Sequence, residues 1–241
     1  MDPSFYREMA ALEDRHWWFE GRRRILGAVL DRLALGPAAE VLEVGCGTGG
    51  NLPVLARYGR LFACEPEADA RALAAARGLA TVAPGGLPHD LPFGEKPFDL
   101  IALLDVLEHV AADEASLAAL HARLKPGGAL LVTVPAYRFL WSAHDEVNRH
   151  VRRYTRGDLV RKLRAGGFRV RRATYFNTIL FPVVAAVRLA GRVAGKEGSD
   201  LALPGAVANR WLTRIFASER YVVPRLALPF GVSILAVAER D

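Results

Sequence analysis

Cysteine is scarce in this 241-residue chain, with Cys46 and Cys64 its two thiols. That excludes a disulfide framework and any C-x-x-C metal site. It also makes a reducing compartment the default. Long apolar runs are missing too. No stretch reaches the ~18 uninterrupted apolar residues that a spanning helix needs. Residues 1–14 carry acids and no apolar centre, so they do not read as a secretory signal. There is no internal repeat. These absences point to a cytoplasmic protein. What remains is ordinary globular composition, 51% hydrophobic and 24% charged. The length suits one large domain or two small ones, with a core that needs no staples.

The charge is uneven. The chain has 32 Lys+Arg against 26 Asp+Glu, a formal net charge of +6. Between Arg149 and Arg172 there are ten basic residues and a single acid, Asp158, which leaves the rest of the chain net negative. This is one basic segment, not a basic protein. It reads either as a solvated helix face and strand edge or as a local anion site.

Short apolar runs alternate with helical patterns. Residues 40–46 (EVLEVGC), 61–65, 98–105 and 129–134 read as buried strands, with 168–175 and 232–238 following and 81–82 as a short edge strand. Residues 67–77, 113–124 and 155–165 read as helices, the last with Thr155 as N-cap and Asp158 in its first turn. Residues 125–128 (KPGG) read as a turn that ends the helix before them. Alternation with near-continuous apolar strands predicts a parallel sheet covered on both faces. Residues 1–35 form a helical segment before this α/β domain, which spans 36–176 and 231–241. Residues 177–230 break the alternation and read as a helical insertion or cap.

The first strand runs into Gly45-Cys46-Gly47-Thr48-Gly49-Gly50, where glycines let the backbone turn tightly against a ligand. Ligands in open α/β sheets bind outside the carboxyl ends of the strands. The loop fits both G-x-G-x-G and the dinucleotide pattern G-x-G-x-x-G. Glu65, at the end of strand two, can accept hydrogen bonds from ribose hydroxyls. Neither feature separates NAD from adenosylmethionine. Glu43 does discriminate: a carboxylate two residues before the first glycine suits a cationic ligand and is unfavourable beside a pyrophosphate.

Further motifs follow in order: LPF at 91–93, FDL at 98–100, LDVLEHV at 104–110 and LKPGG at 124–128. Together with VLEVGCGTG at 41–49 and Glu65, they make the chain resemble the class I S-adenosylmethionine-dependent methyltransferases across residues 40–135, about 40% of its length. A looser resemblance to the ubiquinone- and lipid-type branch extends outward through HWWF at 16–19, GRR at 21–23, HDE at 144–146, HVRRYT at 150–155 and LRAGGF at 163–168. The resemblance implies a Rossmann-like, mostly parallel seven-stranded sheet with helices on both faces and a helical insertion before the last strand. It implies S-adenosylmethionine as cofactor. Glu43 would hold the amino group through water. Gly45, Cys46, Gly47 and Gly49 would line the methionine and ribose part. Glu65, with Pro66 after it, would bind the ribose hydroxyls, and Leu87 would sit beside adenine. Asp105 and Val106 would face the methionine end, with His109 near the transferred methyl.

Methyl transfer from a sulfonium needs mainly positioning and exclusion of water. An oxygen acceptor must also lose a proton, which suits histidine. The catalytic candidates are His109, His144 and His150. His144, Asp145 and His150 do not match a standard zinc spacing, so no metal is expected. Trp18 reads either as a packing aromatic or as part of a lid over the acceptor, with Arg22 or Arg23 near the cofactor carboxylate. Asp145, Arg152 and Arg153 are the other candidate acceptor contacts. In the insertion, Arg188, Arg192 and Lys196 share one helical face, and Trp211, Leu212, Ile215 and Phe216 form an apolar stripe. Such helices form a cap or lie peripherally at a membrane. The expected acceptor is a small molecule, anionic or lipid-like, methylated on oxygen. An RNA methyltransferase using the basic 149–172 segment is the alternative. Against it, no RNA-binding module is appended and no aromatics interleave with the basic run. A NAD-dependent reductase and a non-catalytic binding protein are the further alternatives.

Overall fold

A computed structural model describes residues 3–194 and 203–241. The helices are α1 (Pro3–Glu13), α2 (Trp17–Leu30), α3 (Leu52–Leu55), α4 (Ala68–Ala76), α5 (Asp113–Arg123), α6 (Ala143–Val147), α7 (Arg156–Ala165), α8 (Phe181–Ala194) and α9 (Ala206–Ser218). The strands are β1 (Glu40–Val44), β2 (Arg60–Cys64), β3 (Thr81–Ala83), β4 (Phe98–Leu104), β5 (Leu124–Pro135), β6 (Arg169–Phe176) and β7 (Ser233–Glu239). They form one seven-stranded sheet in the order β3-β2-β1-β4-β5-β7-β6. β1 to β5 pair in parallel, and β7 runs antiparallel to both β5 and β6. This is the expected Rossmann-like architecture, with the helical insertion before the last strand.

The strands are buried on both faces because successive side chains point to opposite sides. Val41, Leu100, Leu131 and Leu235 meet α2, α3 and α9 through Ile25, Leu26, Leu52, Leu55 and Phe216. Their neighbours Leu42, Ile101, Leu130 and Ile234 meet α5 and α7 through Leu117, Leu120, Leu159 and Leu163. Residues 1–35 are therefore not a free-standing appendage where described. α2 packs directly on the sheet and against α9, with Trp17 edge-on to Phe216 at 5.8 Å. The insertion joins the sheet through Glu219. Its buried carboxylate accepts the backbone N–H groups of Asn177, Thr178 and Ile179 at 2.7, 2.6 and 2.9 Å. Lys196 lies outside the described residues, as does the side chain of Arg192.

One local expectation fails. Residues 125–128 are not a turn between helix and strand. β5 begins at Leu124, which pairs with Phe98, and the register shifts before Leu100. Gly127 N–H donates to the Arg240 carbonyl at 2.7 Å, and Arg240 N–H donates to Gly128 at 3.0 Å. The glycines form an irregular step within the strand, with Gly127 at φ +76°.

After β1 the chain builds toward β2 and β3, then returns to build β4 and β5 on the other side. Connections leave β1 and β4 in opposite directions, which opens a crevice at their carboxyl ends.

Candidate active site

A cavity of about 980 Å³ occupies that crevice. Sites for one small ligand span roughly 300–1,000 Å³, so this volume is at the upper end of that range. One wall is the glycine loop. Gly45 leaves β1 at φ +70°, and a Cβ there would lie 2.6 Å from Val106 Cγ2. Gly47 has φ +55° with open space at its Cβ position, so its bare backbone faces the cavity. Glu65 Oε2 accepts Gly47 N–H at 2.9 Å and Oε1 accepts Glu67 N–H at 3.1 Å. Burial pushes the Glu65 carboxyl above the usual carboxylate range, against the pull of those two donors. Cys46, Pro66, Leu87, Asp105 and Val106 also line the cavity.

Two expected cofactor residues stand behind this wall. Gly49 packs inward, its Cβ position 2.8 Å from Leu52 and 2.9 Å from Arg77, so its role is close packing. Glu43 is buried and accepts Asn51 Nδ2 at 2.9 Å, and it is Asn51 that reaches the cavity. Burial pushes the Glu43 carboxyl up to about 8.

Asp105 adopts φ +57°, a left-handed conformation that Asp tolerates. Arg22 holds it from α2, with a guanidinium nitrogen 2.8 Å from Asp105 Oδ2 and 3.0 Å from Thr133 Oγ1. Thr133 donates in turn to Asp105 Oδ1 at 3.1 Å. Trp18 lies under the Arg22 guanidinium at 5.0 Å and faces the cavity. Sequence reasoning placed Arg22 or Arg23 near the cofactor; Arg22 lines the cavity, and its two partners were missed. It also missed α1. Tyr6, Met9 and Glu13 line the cavity, and Glu13 binds Thr48 Oγ1 at 2.8 Å and Arg77 at 2.5 Å. α1 is thereby fastened across the glycine loop.

The far wall follows β4 and β5. His109, His144 and His150 all line it. The His109 and His150 rings meet edge-on at 4.6 Å, and His144 lies 6.1 Å from His150. Burial, with His150 alongside, pushes His109 down to about 4, so it is neutral at pH 7. Asp145 is fully buried and does not face the cavity. Its Oδ1 meets His150 Nδ1 at 2.8 Å and Arg153 Nε at 2.7 Å, while Oδ2 accepts Arg153 and the Ser142 N–H, each at 2.8 Å. Burial opposes its charge, yet these donors hold the carboxyl well below the usual range. Asp145 is thus a positioning residue for His150 and Arg153. Glu108, unnoticed in the sequence, is fully buried beside His109. Burial, with Asp105 nearby, pushes its carboxyl far up.

Of the two candidate acceptor contacts in the basic segment, Arg152 and Arg153, one reaches the cavity. Arg149 and Arg153 reach the cavity. Arg152 does not; it pairs with Asp113 and donates to the Ala111 carbonyl at 2.8 Å. Lys162 pairs with Asp113 and Glu114, Arg161 with Asp158, and Arg169 and Arg171 with Glu239. Much of the local charge is answered by this chain's own acids, which leaves little of a phosphate track.

Comparison with known proteins agrees with this geometry. A family model described as a methyltransferase domain matches residues 18–173. An uncharacterized 37.1 kDa protein of transposon TN4556 from Streptomyces fradiae is 26% identical over 220 residues, covering 82% of this chain and 64% of that protein. Demethylmenaquinone methyltransferase of Mycobacterium tuberculosis is 33% identical over 121 residues, covering 50% of this chain and 47% of that enzyme. This chain thus spans about half to two thirds of the length of these relatives. Among solved structures, the methyltransferase complexed with the Trm112 activator of Haloferax volcanii superposes with a TM-score of 0.65 at 19% identity, covering 99% of this chain and 95% of that one. The fold is therefore shared, and the match over residues 18–173 establishes that the chain belongs to the methyltransferase-domain family, whose methyl donor is S-adenosylmethionine.

Proposed function

We propose that the chain transfers a methyl group from S-adenosylmethionine to an oxygen atom of a small, lipid-like acceptor. The observation that carries this reading is the continuity of one cavity from the glycine loop to the histidine wall. The residues on the loop side fit the cofactor. Gly47 presents bare backbone, Glu65 presents a carboxylate to hydroxyl groups, and Leu87 offers an apolar surface to a base. Asp105, held by Arg22, keeps a carboxylate toward the cationic end. When bound, S-adenosylmethionine supplies a methyl carbon already activated on a sulfonium.

The chain's own residues then orient the acceptor and exclude water. Val183, Val184 and Val187 of α8 also line the cavity, so an apolar acceptor body has an apolar surface to bury. The histidine wall receives the acceptor oxygen, and there its proton leaves. The relative named for demethylmenaquinone is a precedent for acceptor type only. A lipid-like acceptor is met at a membrane surface, so the reading includes peripheral contact. Among the described residues, no helix is long and apolar enough to cross a membrane.

The test is calorimetry with S-adenosylhomocysteine, followed by transfer of labelled methyl to lipid extracts. The chain should bind the product, and Glu65→Ala should weaken binding about 10- to 100-fold, the loss of one hydrogen bond to a charged group. Absence of binding, or full affinity in Glu65→Ala, would sink the cofactor assignment. Label appearing only in water-soluble product would overturn the acceptor class.

A further inference from the structure

We infer that Glu108, His109 and His150 form a binding site for a divalent first-row transition-metal cation on the acceptor wall of the cavity. One ligand atom from each lies within 4.8 Å of the others. Glu108 is fully buried, and neither carboxyl oxygen has a hydrogen-bond partner among the described residues. Such a group costs free energy unless something binds it. Its place is fixed, since Val151 N–H donates to the Glu108 carbonyl at 2.8 Å and ties the β4 exit to the segment carrying His150.

The His150 imidazole has one nitrogen occupied by the protein. His150 Nδ1 is on Asp145 Oδ1 at 2.8 Å, which leaves Nε2 available. The Asn148 backbone carbonyl lies near the His109 ring and favours its charged form. A histidine anchored through its other nitrogen by a carboxylate or carbonyl is the usual arrangement around a protein-bound metal. From the sequence, His144, Asp145 and His150 match no standard zinc spacing and no metal is expected. Asp145 is saturated by His150, Arg153 and Ser142, and it supports the site from behind.

Two imidazole nitrogens and one carboxylate favour zinc, manganese, iron or cobalt over calcium and magnesium, which prefer all-oxygen shells. Three protein ligands leave coordination positions open, and all three residues line the cavity. The inference rests on the reading that this wall receives the acceptor. A hydroxyl coordinated there would lose its proton to water more readily. The oxygen pair would then form the O–CH3 bond as the C–S bond breaks, its electrons passing to sulfur and leaving S-adenosylhomocysteine.

The test uses the full chain, stripped with chelator and titrated with Co2+, read by visible absorption and by displacement with Zn2+. One equivalent should bind, and Glu108→Gln and His150→Gln should each weaken binding at least 10-fold. Asp145→Asn should weaken it roughly 10-fold through His150. His121→Gln, away from the cavity, should bind as wild type. No absorption change, or unchanged affinity in both Glu108→Gln and His150→Gln, overturns the site. If circular dichroism shows Glu108→Gln unfolded, His109→Gln with His150→Gln decides instead. S-adenosylhomocysteine binding in the same samples separates the two readings. A chain that binds the product but no cobalt loses only the metal site, and one that binds cobalt but no product loses the methyltransferase reading.

Discussion

Glu43 lies beneath the glycine loop with one carboxyl oxygen on Asn51 and the other without a partner among the described residues. Its carboxyl is raised to about 8, first by burial. A raised carboxyl keeps its proton in the fold while the unfolded chain releases it. Its contribution is complete below about pH 4.5 and is lost progressively as pH rises through 8. Urea unfolding should therefore show wild type losing stability between pH 5 and 9, and Glu43→Gln losing less across that range. Parallel curves would contradict a buried neutral Glu43. Two residues on, Gly45 has no room for a side chain. Gly45→Ala pushes a methyl into Val106 and forces Ala into a left-handed conformation, at about 1–2 kcal/mol for the backbone alone. Product affinity should fall in Gly45→Ala. Adding Val106→Ala should restore part of it, because the clash is relieved and the backbone strain is not.

Asp113, in the first turn of α5, shows how elements are tied around the site. It pairs with Arg152, accepts Lys162 Nζ at 3.0 Å from α7, and accepts Tyr154 Oη at 3.0 Å. Burial opposes its charge, but these partners hold the carboxyl below its ordinary value. A lowered carboxyl contributes stability above about pH 4 that is lost as pH falls through the folded value. Asp113→Ala should cost about 1.5–3 kcal/mol at pH 7, since Arg152 and Tyr154 lose their carboxylate partner while Lys162 keeps Glu114, and should flatten the acid limb of the stability curve. Chemical denaturation at pH 7 and pH 3 measures both. Elements of this kind were legible in the sequence where one periodicity governs them. β1, β2 and β4, the α7 N-cap at Thr155 and the edge strand β3 lie within a residue or two of expectation. The 125–128 segment was not legible, because Pro and Gly signal a turn while the pairing to Phe98 and Arg240 is decided by distant residues. Within the site, Gly45, Gly47 and Glu65 follow from local pattern. The roles of Arg152, Asp145 and Glu108 depend on partners from other elements, and charge along a chain does not reveal its partner across it. Glu108 did carry one signal, an acid adjoining the candidate His109.

At the scale of the whole molecule, many of the exposed apolar side chains fall in one stretch of sequence, residues 179–230. Ile179, Val183, Val187 and Leu189 lie on and before α8, Val207, Trp211 and Ile215 on α9, and Tyr221, Leu226 and Phe230 follow. Val183 and Val187 also line the cavity, so the exposed face of α8 borders it. Arg210 and Arg214 share α9 with the stripe, and Arg220 and Arg225 follow it. On the proposed lipid-like acceptor, these apolar side chains and arginines would meet the interface of an anionic bilayer. The chain should therefore float with vesicles containing anionic phospholipid and should float less with neutral phosphatidylcholine. Raising salt should weaken the association, because screening acts on the arginines and not on the buried apolar area. Trp211→Ser with Ile215→Ser should reduce flotation several-fold while S-adenosylhomocysteine affinity stays at its wild-type value, since neither residue lines the cavity. Equal recovery with neutral and anionic vesicles would remove the arginines from the account. Absence of flotation in both would remove the membrane surface and leave α8 and α9 as a cap through which the acceptor enters from water.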